Sequence, residues 1–150
     1  MRIVLQRVTE ANVKINESIK GSIDKGLLLF LGIEAEDSEE DINWLVQKVS
    51  NLRIFEDENG KMNLSVKEIE GEVLVISQFT LFASTKKGNR PSFIKAAKPE
   101  IAIPLYEQFL QKIKSVSNLK VESGEFGADM KVSLCNDGPV TILIDSKNRE

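Results

Sequence analysis

The stretch Glu72–Phe82, Glu-Val-Leu-Val-Ile-Ser-Gln-Phe-Thr-Leu-Phe, constrains the fold of this chain more than any other. Val73 to Ile76 is an unbroken apolar run too short for most helices, and it reads as a strand buried on both faces. Ser77 and Gln78 then interrupt it side by side, and Thr80 follows between Phe79 and Leu81. In a continuing strand Gln78 and Thr80 share one face, while Ser77 and Phe79 share the other. Three hydrogen-bonding side chains in four positions are costly in a core, because each must find a partner or lose its water. Either the strand end emerges into solvent here, or a site is built at the end of a central strand.

Around this stretch the chain reads as strand-rich. Arg2–Val8 and Ala11–Ile15 alternate apolar and polar residues and predict two strands separated by Thr9-Glu10, with a further short strand around Ile19 and Ile23. Leu27–Ile33, entered through Lys25-Gly26, is a second central strand. Ser38 is a good N-cap, followed by acids in the first helical turn and then Ile42, Leu45, Val46, Val49 and Leu52 at helical spacing; this predicts a helix over about Glu39–Asn51. Trp44 is expected at its edge. Leu52–Phe55 resumes as a strand and Asp57-Glu58-Asn59-Gly60 turns. Leu105, Tyr106, Phe109, Leu110 and Ile113 give a second helix to about Lys114, with Pro99 and Pro104 both suited to its start. Met130–Cys135 and Val140–Asp145 form a last pair of strands, and the final residues, Ser146–Glu150, are expected to fray. Many strands, two main helices and no regular strand–helix alternation predict one α+β domain spanning 1–150, with a largely antiparallel, curled or barrel-like sheet.

Composition narrows the chemistry. The chain contains no histidine and one cysteine, Cys135. Ser-His-Asp and Cys-His catalysis, histidine-bound zinc and cysteine clusters are all excluded, and no cofactor or metal dependence is indicated. Cys135, in a strand pattern, is expected to be a buried thiol rather than a nucleophile. No apolar segment approaches the roughly 20 residues that span a bilayer, and the first residues carry no signal pattern, so a cytoplasmic location is expected. Charge is segregated: Glu34–Asp41 holds six acids, whereas residues 84–98 hold Lys86, Lys87, Arg90, Lys95 and Lys98 with no acid. The acidic run reads as a solvated face. The basic run directly follows Ser77-Gln78-Phe79-Thr80 and is placed to guide an anionic ligand toward it.

A second unusual stretch is Asn136-Asp137-Gly138-Pro139-Val140-Thr141, by itself a turn signal compatible with an ordinary hairpin. Taken with Ser77-Gln78-Phe79-Thr80, it resembles the signature pair of the D-aminoacyl-tRNA deacylases. The likeness covers nearly the whole chain, through Gln6-Arg7-Val8, Asn51–Asp57, Gly60-Lys61-Met62-Asn63, Lys87-Gly88, Arg90-Pro91-Ser92-Phe93 and Phe126-Gly127-Ala128-Asp129-Met130. The resemblance implies a homodimeric enzyme, without membrane attachment, that hydrolyses the ester between a D-amino acid, or glycine mischarged on tRNA-Ala, and the terminal adenosine of tRNA.

By that resemblance Ser77, Gln78, Phe79 and Thr80 form the catalytic element. Gly138 and Pro139, joined by a cis bond, reach across the dimer and reject L-amino acids, and Arg7 holds them through charge-assisted hydrogen bonds. Lys86, Lys87, Arg90, Phe93, Met130 and Asn136 contact substrate or tRNA. Because an aminoacyl ester is already activated, positioning and backbone N–H groups around Phe79 and Thr80 are expected to suffice, with a ribose hydroxyl helping water. A nucleophilic Thr80 is the competing mechanism. The rival functions are a non-catalytic RNA- or DNA-binding module using the basic loop 84–98, and a general esterase, which the missing triad disfavours.

Overall fold

The computed structural model describes residues 1–150. Its strands are β1 (Arg2–Ile15), β2 (Ser18–Ile23), β3 (Gly26–Gly32), β4 (Phe55–Glu56), β5 (Met62–Leu64), β6 (Glu72–Ser77), β7 (Val121–Ser123) and β8 (Lys131–Asp145); the helices are α1 (Glu39–Asn51) and α2 (Pro99–Ser117). The main sheet runs β2-β1-β3-β6-β7, with β8 on the other edge of β1. Pairings of β1 with β2, β3 and β8 are antiparallel, whereas β3–β6 and β6–β7 are parallel. The expected α+β, curled sheet with two main helices is found.

The two apolar runs are covered on both faces. Leu27, Leu29, Leu31, Val73 and Val75 face the helices, where Ile42, Leu45, Val46 and Val49 of α1 meet Tyr106, Phe109 and Ile113 of α2 in one core. Leu28, Leu74 and Ile76 face the other way, into a smaller core with Val8, Ala11, Val13 and Ile23. That second core exists because the far half of β1 folds over with β2, which lies against β7 closely enough for Lys120 Nζ to donate to the Ser22 carbonyl at 3.1 Å.

Several sequence expectations are corrected. The two predicted N-terminal strands are a single β1, whose register against β8 shifts between Gln6 and Glu10. This irregularity lets Ile3 and Leu5 feed the helix-side core and Ala11 and Val13 the other. The predicted final pair is likewise one continuous β8. Asn136 pairs with Val8 and Thr141 with Gln6, so Asp137–Val140 bulge out of a strand that keeps its direction, and no hairpin forms. The strand expected over Leu52–Phe55 shrinks to the two-residue β4. Helix α2 begins at Pro99 and carries Pro104 inside, near its N-terminal end, where the missing N–H costs one bond. Cys135 is exposed, not buried, because it lies on the open face of β8.

The C-terminal residues do not fray. Lys147 Nζ meets Asp41 Oδ2 at 2.8 Å, Arg149 bonds Glu40 at 3.0 Å, and its guanidinium lies 4.8 Å from the centre of the half-buried Trp44 ring. The acidic run is correspondingly not all solvated, since Asp37 and Asp41 are buried. Burial alone raises the Asp41 pKa, but hydrogen bonds from Lys147, Ser146 and the Ser38 N–H outweigh it and hold the carboxyl well below its usual range.

Candidate functional site

Strand β6 ends at Ser77, not beyond it. Gln78 N still donates to the Leu31 carbonyl at 2.8 Å, and the chain then winds into a 3-10 turn over Phe79–Phe82. The alternating strand faces expected for Gln78 and Thr80 are therefore replaced by a turn. Phe82 is buried and anchors it, with the Arg2 guanidinium 4.6 Å from the ring centre and Arg2 Nη1 donating to the Leu81 carbonyl at 3.2 Å. Within the turn Leu81 N reaches Gln78 O at 3.3 Å and Ala83 N reaches Thr80 O at 3.0 Å. The N–H groups of Phe79 and Thr80, first in the turn, are its orphan donors, as at any helix start.

Beside this turn opens a cleft of about 280 Å³ at the C-terminal ends of the parallel strands β3 and β6. Ser77, Gln78 and Phe79 form one wall, while Phe126 and Met130 contribute to the opposite side. No ionisable side chain lines it, which leaves nothing in the cleft to serve as a general base. Thr80 is exposed, and its hydroxyl accepts a hydrogen bond from the Gln78 side-chain amide.

The basic loop stands next to the cleft. Ser84 and Ser92 close its base with two backbone bonds of 2.7 and 3.0 Å. Lys86, Lys87 and Arg90 are exposed on it and take part in no ion pair. Phe93 packs edge-on against Phe79, ring centres 5.1 Å apart, which ties the loop to the cleft wall. Loop and cleft share Ala97, whose N–H donates to Ile33 O at 2.9 Å. Phe126 and Ala102 also line the cleft. Phe126 belongs to the Phe126–Met130 stretch that carries the family likeness but is not among the expected site residues, and no sequence signal marks Ala102.

The other expected site residues gather elsewhere. The Gly138–Pro139 bond is cis, and both residues are exposed. Arg7, 4% exposed, donates from Nε to the Asp137 carbonyl at 3.0 Å and from Nη1 to the Ile54 carbonyl at 2.6 Å. Asn136 braces the same corner, accepting from Val140 N and donating to Thr141 Oγ1, both at 3.0 Å. Within one chain this corner does not line the cleft. Arg7 pairs with Leu27, whereas Ser77 pairs with Leu31, four residues or about 13 Å farther along β3. The structure thus brings Ser77, Gln78, Phe79, Phe93 and Met130 together, and places Arg7, Asn136, Gly138 and Pro139 apart from them.

Comparison with known proteins assigns the class first: residues 4–145 match the profile of a family of tRNA deacylases, described as D-Tyr-tRNA(Tyr) deacylase. The chain belongs to this D-Tyr-tRNA(Tyr) deacylase family. Proteins named D-aminoacyl-tRNA deacylase from Flavobacterium psychrophilum and Bacteroides fragilis are each 63% identical to it over 150 residues, covering all of both chains. Among solved structures, one described as c-Myc DNA Unwinding Element Binding Protein is 40% identical, with a TM-score of 0.91 over 97% of this chain and 98% of the other. Another, described as a probable eukaryotic D-amino acid tRNA deacylase, shares the fold with a TM-score of 0.85 at 17% identity, over 95% and 97% of the two chains.

Proposed function

We propose that this protein hydrolyses the ester bond of D-aminoacyl-tRNA, and of glycyl-tRNA mischarged on tRNA-Ala, releasing free tRNA as a cytoplasmic proofreading step. The observation that carries this reading is the cleft itself: the Ser77-Gln78-Phe79-Thr80 element borders a pocket without any ionisable group, in a chain of the deacylase family. An activated ester needs no strong base if its developing oxyanion meets fixed donors. The orphan N–H groups of Phe79 and Thr80 are such donors, and a ribose hydroxyl of the substrate would assist the attacking water. With its hydroxyl hydrogen-bonded to Gln78 and no base nearby, Thr80 serves through its backbone rather than as a nucleophile. Lys86, Lys87 and Arg90 receive the phosphates of the single-stranded acceptor end, with Phe93 beside its last base.

Selection between mirror images is assigned to Gly138-Pro139, held by Arg7 and Asn136. Because that corner is remote from the cleft of its own chain, it acts in the cleft of a second copy, in a homodimer. Support comes from β8, a 15-residue edge strand with no partner on its outer side, carrying the exposed Leu134 and Leu143. Main chain pressed into the space of an L side chain excludes that enantiomer, whereas glycine has nothing to exclude.

The description of the 40% identical neighbour and the unpaired cations of the loop favour a second reading, nucleic-acid binding without turnover. One assay separates them, offering D-tyrosyl-tRNA, uncharged tRNA and a chromogenic ester. The proposal expects release of tyrosine from the first and negligible hydrolysis of the third. Salt-sensitive binding to uncharged tRNA with no release of tyrosine would support the alternative.

A further inference from the structure

Gly124, which follows β7, has a backbone φ outside the left-handed region, so its conformation does not demand glycine. What demands it is space. A Cβ placed on Gly124 would lie 2.4 Å from Met130 Sδ, 3.3 Å from Ile76 Cδ1 and 3.7 Å from Val13 Cγ2. Two of these neighbours, Met130 and Ile76, line the cleft. Ile76 is 2% exposed and Val13 is 0% exposed, so both are fixed in the inner core. Met130 is unbranched and only partly buried, so it is the group that can give way. Behind it stands the packed inner core, and ahead of it is the open cleft.

We infer that Gly124 sets the depth of the cleft: the notch left by its missing side chain holds the Met130 thioether clear of the volume that receives the apolar part of the substrate. Gly124 touches no substrate and is a positioning residue acting through Met130. This rests on the deacylase reading of the cleft but adds a determinant outside its lining.

The test is a double-mutant cycle of Gly124→Ala and Met130→Ala on D-tyrosyl-tRNA, joined to a crystal structure of the single Gly124→Ala variant. In the wild-type background Gly124→Ala is expected to lower kcat/KM at least tenfold, mainly through KM, with a Tm close to wild type. In the Met130→Ala background the same change is expected to leave kcat/KM at that variant's own value, because the group it displaces is gone. Equal losses in both backgrounds, or no loss in the wild type, would overturn the inference. The crystal structure reads the claim independently of turnover: Met130 Sδ must move into the cleft, and an unmoved thioether refutes it. Absence of wild-type turnover would count against the deacylase reading alone.

Discussion

At Thr80 the geometry separates two chemistries that the amino-acid type leaves open. A threonine nucleophile needs a base within hydrogen-bond reach, and the hydroxyl here meets only the Gln78 amide. Thr80→Ala is therefore expected to keep kcat on D-tyrosyl-tRNA within about tenfold of wild type, since the backbone donor survives the substitution. A folded Thr80→Ala protein without activity would establish the nucleophile instead. Gly138 is the opposite case, because there the side chain that is absent matters. Its φ of +127° belongs to glycine, and a Cβ would lie 2.9 Å from Arg7 Nη2 and 3.0 Å from Val140 Cγ2. Gly138→Ala is expected to dislodge Arg7 from Asp137 and Ile54 and to lower stability by about 1–3 kcal/mol. It is also expected to reduce D-tyrosyl-tRNA hydrolysis at least a hundredfold; chemical denaturation and single-turnover rates measure the two effects. Unchanged rates would make Gly138 a bulge residue with no part in selection.

Among the elements, the start of α1 illustrates how a local signal acquires a tertiary role. Ser38 and Asp41 form the expected cap, with Ser38 N donating to Asp41 Oδ2 at 2.9 Å, but Lys147 also reaches that carboxylate from the far end of the chain. Because the Asp41 pKa is depressed below its ordinary 3.8 on folding, the ionised group stabilises the protein above that value. The contribution disappears as pH falls through the lower, folded value. Thermal melts of wild type and Asp41→Asn are expected to differ most near neutral pH, to begin approaching each other as pH falls past 3.8, and to converge only well below it. A gap independent of pH would place the stabilisation elsewhere. The same element scale shows what the sequence could convey. Helix α1 and the buried runs of β3 and β6 were legible because apolar spacing and length state burial directly. Asn136–Thr141 is by itself compatible with a hairpin because local turn chemistry is the same in a bulge, and only pairing with β1 keeps the strand on course. The 3-10 turn after Ser77 was hidden for a similar reason. Its polar residues marked the break in the strand, while its winding depends on Phe82 and Arg2 meeting across the fold. The motif residues were visible, but only the family resemblance, and neither spacing nor periodicity, implied that Ser77–Thr80 and Gly138–Pro139 lie apart within one chain.

For the whole molecule, that separation has a functional consequence if each complete site draws on two copies. Light scattering is expected to give twice the 16.8 kDa chain mass. A stronger test mixes two defective proteins: Gly138→Ala, with a sound cleft and a damaged corner, and Met130→Trp, with a blocked cleft and a sound corner. After subunit exchange, half the dimers are mixed and each holds one intact site, so about a quarter of wild-type activity should return. No recovery after demonstrated exchange would mean that each chain supplies its own corner. The account as a whole rests on main-chain atoms, rather than a reactive side chain, choosing the substrate's handedness. The most direct test is the ratio of single-turnover deacylation rates for D-tyrosyl-tRNA and L-tyrosyl-tRNA under identical conditions. The account predicts a D-to-L ratio of at least about a hundred, equivalent to roughly 2.7 kcal/mol of discrimination; equal rates for the two enantiomers would contradict it.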